Sequence, residues 1–112
     1  MKPEMKPEME TAAQLVQLKR VTIIAEALLE DRLIRDISGL GAKGFTITEA
    51  RGRGSRGVRA SEWEGKNLKL ESIVSAEVAA QILERLKARY FEHYAVIAYL
   101  ENVEVVRGDK YV

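Results

Sequence analysis

Residues 45–57 read Phe45-Thr46-Ile47-Thr48-Glu49-Ala50-Arg51-Gly52-Arg53-Gly54-Ser55-Arg56-Gly57, and the change of character halfway along decides the fold. Phe45 to Ala50 is rich in β-branched residues and predicts a strand. Glycines at 52, 54 and 57 then forbid a regular element, and the irregular stretch runs on to Gly65. The next element is a second strand and not a helix, because Leu68, Leu70, Ser72 and Val74 alternate with polar residues such as Lys69 and Glu71 across Asn67 to Val74. The centre of the chain is therefore two strands joined by a long loop. On the N-terminal side, Leu29, Leu33, Ile37 and Leu40 recur at helical spacing up to a capping Gly41, preceded by a β-branched strand from Leu18 to Ala25. On the C-terminal side, Ser75 stands as an N-cap before the stripe Val78, Ile82, Leu86, Tyr90, and Tyr94 to Glu101 predicts a fourth strand with a short β extension over Val103 to Val106.

The order is βαββαβ, the ferredoxin-like α+β plan, in which an antiparallel sheet carries both helices on one face. Its other face needs a cover, since a strand as apolar as Ala95 to Leu100 is ill suited to water, and self-association through that face is the expected solution. The chain of 112 residues suits one domain, with 46% hydrophobic and 31% charged residues. Residues 1–14 open on a repeated Met-Lys-Pro-Glu and read as a disordered tail, 15–108 as the domain and 109–112 as a C-terminal tail. The absence of cysteine excludes disulfides and thiolate chemistry and fits a cytoplasmic protein. No apolar run approaches the roughly 18 residues of a membrane span, so a membrane would be met only through a partner.

The net charge of +1 hides an asymmetry: Arg51 to Lys69 holds six basic and two acidic residues, whereas the remainder is net acidic. Positive charge gathered in one segment points to a local anion site. Within it, glycines let the backbone approach a ligand while guanidinium groups pair with phosphate bidentately. The segment is neither a Walker loop nor a dinucleotide-binding turn, because a strand comes after it. A solvated hairpin whose arginines only aid solubility is the bland alternative. His93 lacks metal-ligand companions and reads as a capping or hydrogen-bonding residue, so no metal site is expected. Glu62 and Glu64 read as solvated loop carboxylates, and Trp63 between them either tucks back onto the domain or anchors a partner.

Ile37-Ser38-Gly39-Leu40-Gly41-Ala42-Lys43-Gly44-Phe45-Thr46-Ile47-Thr48-Glu49, followed by Gly52 and Gly54, resembles the PII signalling proteins at the start of their long T-loop. Gly54-Ser55-Arg56-Gly57-Val58-Arg59 and Tyr90-Phe91-Glu92-His93-Tyr94-Ala95 are similar to PII-like proteins of carbon acquisition, among them regulators of bicarbonate transporters and the carboxysome-associated PII protein. The likeness runs from Leu18 to Gly108. It implies a non-enzymatic homotrimer with an adenine nucleotide in each intersubunit cleft and a T-loop between strands two and three that docks on a target, such as a bicarbonate transporter. By position, Phe45 and Thr46 would lie near base and ribose, and Gly52, Arg53, Gly54, Ser55 and Arg56 would hold phosphate. Ser55, Arg56, Gly57 and Arg59 would hold phosphate or bicarbonate, His93 and Tyr94 would close on the phosphates, and Arg107 would bind phosphate from the last strand. Trp63 would meet the partner, and Arg56 to Gly65 would gain order on ligand binding.

The T-loop lacks a tyrosine, which argues against uridylylation, and the closing loop lacks the glycines and lysine of the nitrogen-regulating branch. ADP, AMP, cyclic AMP or ATP with bicarbonate is therefore favoured over ATP with 2-oxoglutarate, and no catalytic cofactor is implied. A rival of another class is an RNA-binding module, since Lys43-Gly44-Phe45 opens an RNA-recognition signature. That signature then requires aromatics where Ile47 and Ala50 stand, so no nucleic acid is expected as a partner. A small phosphate-ester hydrolase is a second rival, without an evident general base.

Overall fold

The computed structural model describes residues 15–52 and 66–112, so the expected tail over 1–14 and the loop residues 53–65 lie outside the described residues. Alternation along the first strand sets the architecture. In β1 (Val16–Glu26), Val21, Ile23 and Ala25 are at most 1% exposed, and the strand is hydrogen-bonded on both sides. It pairs antiparallel with β3 (Asn67–Val74) and with β4 (Ile97–Val105), and β2 (Thr46–Ala50) lies beyond β3. The sheet order β2-β3-β1-β4 is that of the ferredoxin-like plan.

Register places Ile23 opposite Leu70 and Ala25 opposite Leu68, and Ile47 of β2 opposite Leu70 in turn. Directly opposed residues share a face, so these form one apolar surface. It is covered by α1 (Glu30–Gly39) through Leu33 and Ile37, and by α2 (Ala76–Arg89) through Ala79, Ile82 and Leu86. Leu29, placed by spacing at the head of the first helix, belongs instead to a short 3-10 turn, Ala27–Leu29, that leads into it.

Helix termini obey the expected chemistry. Past α1, the Ala42 amide donates to the Ile37 carbonyl at 3.0 Å and the Gly41 amide to Ser38 at 3.2 Å, which is a Schellman closure. Gly41 has φ +118°, which favours glycine, and a Cβ there would also crowd Val78 Cγ2 at 3.1 Å. At α2 the Ser75 hydroxyl accepts from the Val78 amide at 3.2 Å, as an N-cap does.

The fourth strand departs from its expected limits. Residues 90–96 form a turn closed by His93 and Tyr94 amides on the Tyr90 carbonyl, and β4 begins only at Ile97. It then runs unbroken to Val105, because its polar residues have partners on β1: Asn102 accepts from Lys19 Nζ, and Glu101 pairs with Arg20 Nη2 at 2.7 Å. Beyond it, residues 108–112 dock back on the domain. Gly108 lies so close to β1 that a Cβ would sit 2.7 Å from Val16 Cγ2, and Lys43 Nζ donates to the Val112 carbonyl.

The second face of the sheet carries Ile24 opposite Ile97, Thr22 opposite Tyr99 and Leu18 opposite Val103. Ile97 and Tyr99 are 54% and 44% exposed there, and no described element covers them. Thr22 on this face is buried, and its Oγ1 has no hydrogen-bond partner.

Two substitutions test this packing. Leu70→Ala should lower the unfolding free energy by about 2–5 kcal/mol, read from the urea midpoint. Gly108→Ala should cost about 1–3 kcal/mol through overpacking against Val16, whereas an unchanged midpoint would mean that the C-terminal turn does not contribute to stability.

Candidate functional site

One end of the sheet gathers the segments on which a ligand site could be built. Glu26, Asn67 and Ala50 close the β1, β3 and β2 ladders in one row, so Arg51 and Gly52 leave the sheet where Lys66 returns to it. The Ala27 amide donates to the Lys66 carbonyl at 3.4 Å, tying the returning chain to the junction of β1 and α1. The Ala95 amide donates to Glu26 Oε1 at 3.4 Å, which brings the turn before β4 to the same end. Both ends of the long β2–β3 connection thus lie at the same end of the sheet as the 90–96 turn, with Arg51 and Lys66 supplying exposed positive charge.

Of the expected site residues, Gly52 and Tyr94 both lie at this end of the sheet, and His93 is exposed on the same turn as Tyr94. Phe45 and Thr46 stand where β2 starts, on the outer edge of the sheet, both exposed. Their approach is fixed by the buried Ser72 hydroxyl, which donates to the Gly44 carbonyl at 2.6 Å. Arg107, expected on the last strand, lies two residues past its end, in a left-handed conformation with φ 63°. Val105 pairs with Val16, so Arg107 sits at the opposite end of β1 from Glu26; ten residues at a strand's rise is about 33 Å. Within one chain Arg107 does not meet Gly52 or Tyr94. Arg53, Gly54, Ser55, Arg56, Gly57, Arg59 and Trp63 lie outside the described residues. Among the described residues, no three His, Asp or Glu side chains are gathered as metal ligands.

Sequence reasoning missed a polar seam beside this end. Asp36 of α1 accepts from Arg85 Nη1 of α2 at 2.9 Å on one oxygen and from the Tyr90 hydroxyl on the other. One turn earlier on α1, the Arg32 guanidinium lies 4.7 Å from the centre of the Tyr90 ring and 5.6 Å from that of Tyr94. Its Nη1 also donates to the Tyr94 hydroxyl at 3.2 Å. The available signal was a matched spacing: Arg32 and Asp36 are four apart on one helix, and Tyr90 and Tyr94 are four apart where the other ends. Burial, reinforced by the hydrogen bond to the Asp36 carboxylate and opposed by Arg32, drives the Tyr90 hydroxyl well above the usual tyrosine range.

The sheet order, with both helices on one face and a long β2–β3 connection, defines a ferredoxin-like α+β domain. The chain belongs to the P-II family: the family model described as nitrogen regulatory protein P-II matches residues 18–110. A chain described as a PII-like signalling protein from Thermus thermophilus is 66% identical over 88% of this chain and 99% of its own, with a TM-score of 0.78. CPII from Thiomonas intermedia shares the fold at 24% identity. Its structure with ADP and bicarbonate covers 88% of this chain and 97% of its own at a TM-score of 0.77. The corresponding values for its structure with ADP, AMP and acetate are 87%, 96% and 0.76.

The Tyr90 arrangement sets a pH dependence. A hydroxyl whose folded pKa lies above its unfolded value of about 10 stabilises the fold fully below that pH and loses the contribution as pH rises through the folded value. Stability should therefore fall above about pH 10, and Tyr90→Phe should flatten that decline while costing about 1.5–3 kcal/mol at neutral pH. Titration of tyrosinate absorbance in the folded protein should show a hydroxyl still protonated above the usual tyrosine range, a feature that Tyr90→Phe removes.

Proposed function

We propose that this chain is a non-enzymatic PII-like regulator that binds an adenine nucleotide, with bicarbonate as a co-ligand, in clefts between the subunits of a homotrimer. The observation that carries the reading is the separation of the site across the sheet. Gly52 and Tyr94 lie at one end of β1 and Arg107 at the other, so a phosphate site using all three needs a second copy of the chain. The uncovered face with Ile97 and Tyr99 supplies apolar surface for that association. ADP and bicarbonate are the ligands of CPII, which shares the fold.

In this reading Phe45 and Thr46 lie by the base and ribose, and Gly52, Arg53, Gly54, Ser55 and Arg56 bind phosphate, with His93 and Tyr94 closing over it and Arg107 reaching in from the neighbour. Ser55, Arg56, Gly57 and Arg59 take bicarbonate, and the T-loop presents Trp63 to a target. The nucleotide acts by population shift, biasing the loop by the difference between its affinities for two loop states. The target belongs to inorganic-carbon uptake, a bicarbonate transporter or carboxysome-linked metabolism, and the trimer works in the cytoplasm. An RNA-binding role is disfavoured by the position of Phe45 beside an edge strand, since base stacking needs a broad aromatic platform on the sheet.

Sedimentation equilibrium should give about three times the 12.6 kDa chain mass. Ile97→Asp should lower that mass, because it buries a charge in the proposed contact; a wild-type monomer at micromolar concentration would remove the intersubunit cleft.

Calorimetry against ATP, ADP, AMP and cyclic AMP, with and without bicarbonate, tests the ligand. Adenylate binding should weaken about 10- to 100-fold in Arg107→Ala, as for loss of a charge-assisted hydrogen bond, with the trimer intact. Equal affinity in the variant would show that Arg107 is wrongly assigned, and no heat with any adenylate would overturn the function.

A further inference from the structure

We propose that Arg32 is a positioning residue for the turn over 90–96, holding Tyr94 from the side of α1 so that the turn is preformed before ligand arrives. The proposal that the turn closes on nucleotide rests on the function given above; the clasp itself does not. Residues 91–93 are exposed, and the turn is closed locally by the His93 and Tyr94 amides on the Tyr90 carbonyl. The contacts at the two ends of such a short turn limit how far it can move. At its start, Tyr90 is fully buried and bonded to Asp36. Towards its end, Tyr94 is half-buried and is held by Arg32 in two ways: the guanidinium faces its ring at 5.6 Å and donates to its hydroxyl at 3.2 Å.

Arg32 reaches both rings at once, at 4.7 Å from Tyr90 and 5.6 Å from Tyr94, while the rings themselves stand 6.1 Å apart at 49°. A planar guanidinium can lie against an aromatic face and still donate in its own plane, a fixed geometry that a freely rotating ammonium group does not impose. Arg32 therefore fixes both the position of the Tyr94 ring and the direction of its hydroxyl. The neighbouring Asp36 is already engaged by Arg85 and Tyr90, so the helix-to-helix contact does not need Arg32. Its distinct effect is on the turn. A ligand that needs the turn in this conformation would bind more weakly wherever the turn is free to leave it, in proportion to the fraction of time it is in place.

The experiment is amide hydrogen exchange across residues 91–96 in nucleotide-free protein, together with ADP calorimetry, for wild type, Arg32→Ala, Arg32→Lys and Tyr94→Phe. In Arg32→Ala, the Tyr94 and Val96 amides should exchange about tenfold faster while β1 and β3 amides keep their protection, and ADP should bind about tenfold more weakly. Arg32→Lys should recover part of both effects, and Tyr94→Phe, which keeps the ring and loses the acceptor, should fall between wild type and Arg32→Ala. Unchanged exchange over 91–96 in both Arg32→Ala and Tyr94→Phe would overturn the clasp, even if ADP binds normally. Faster exchange over 91–96 supports the clasp even if the wild type binds no ADP, an outcome that would instead sink the nucleotide reading. Faster exchange with undiminished ADP affinity would overturn the role in ligand binding. Should Arg32→Ala fail to fold, Tyr94→Phe decides the exchange arm by the same criterion.

Discussion

β1 is hydrogen-bonded on both flanks, and the placement of every other element depends on which of its residues face the helices. Because side chains alternate, committing Val21, Ile23 and Ala25 to the helix side commits Leu18, Thr22 and Ile24 to the other. A slip of one residue would put Arg20 and Glu26 under α1 and α2, at the cost of burying unpaired charge. Leu70 opposite Ile23 then fixes β3, and Ile47 opposite Leu70 fixes β2, so the point where the long connection leaves the sheet is set by the register of the central strand.

The same register separates the groups that a phosphate ligand would require. The β2–β3 connection and the 90–96 turn emerge at the Glu26 end, and the chain past β4 emerges at the Val16 end. Folding alone cannot close that distance, since a hydrogen-bonded strand is stiff and its rise per residue is fixed. In the proposed trimer a second copy, joined through the uncovered face, would supply the group that one chain cannot bring. Coverage of exposed Ile97 and Tyr99 and completion of a site would then be one event, making assembly a precondition of ligand binding.

The sheet order was legible because β-branched alternation and glycine punctuation are local signals: the Gly41 closure and the Ser75 cap stand where residue type placed them. The limits of β4 were not. Tyr94 to Val96 is as apolar as a strand, but the Tyr90 carbonyl captures two amides and keeps the segment a turn. Asn102 resembles a break until Lys19 is set beside it, and that partner lies 83 residues away. Arg107 was displaced for a related reason, since the tight approach of Gly108 to Val16 ends the strand before it. The glycines and arginines from 52 to 59 suggest an anion site by composition alone, and all of them but Gly52 lie outside the described residues. Phe45 and Thr46 are proposed for the site through family likeness alone, because an exposed edge residue leaves no mark in hydrophobic periodicity.

Arg32, Asp36 and Arg85 were opaque for the opposite reason: on helices, charged residues at this spacing ordinarily face water and contribute little. Here the carboxylate is largely shielded, and both of its oxygens are occupied by donors from the second helix and its end. Apolar residues could hold two helices together at least as well, since desolvating the ions offsets much of their attraction. What apolar packing could not supply is direction. A carboxylate that accepts from Tyr90 and a guanidinium that faces two rings set the rotation of those rings as well as their distance. The seam therefore converts the firm contact between α1 and α2 into a defined geometry for the exposed turn that leads into β4, and it links the helix layer to the end of the sheet where the long connection begins.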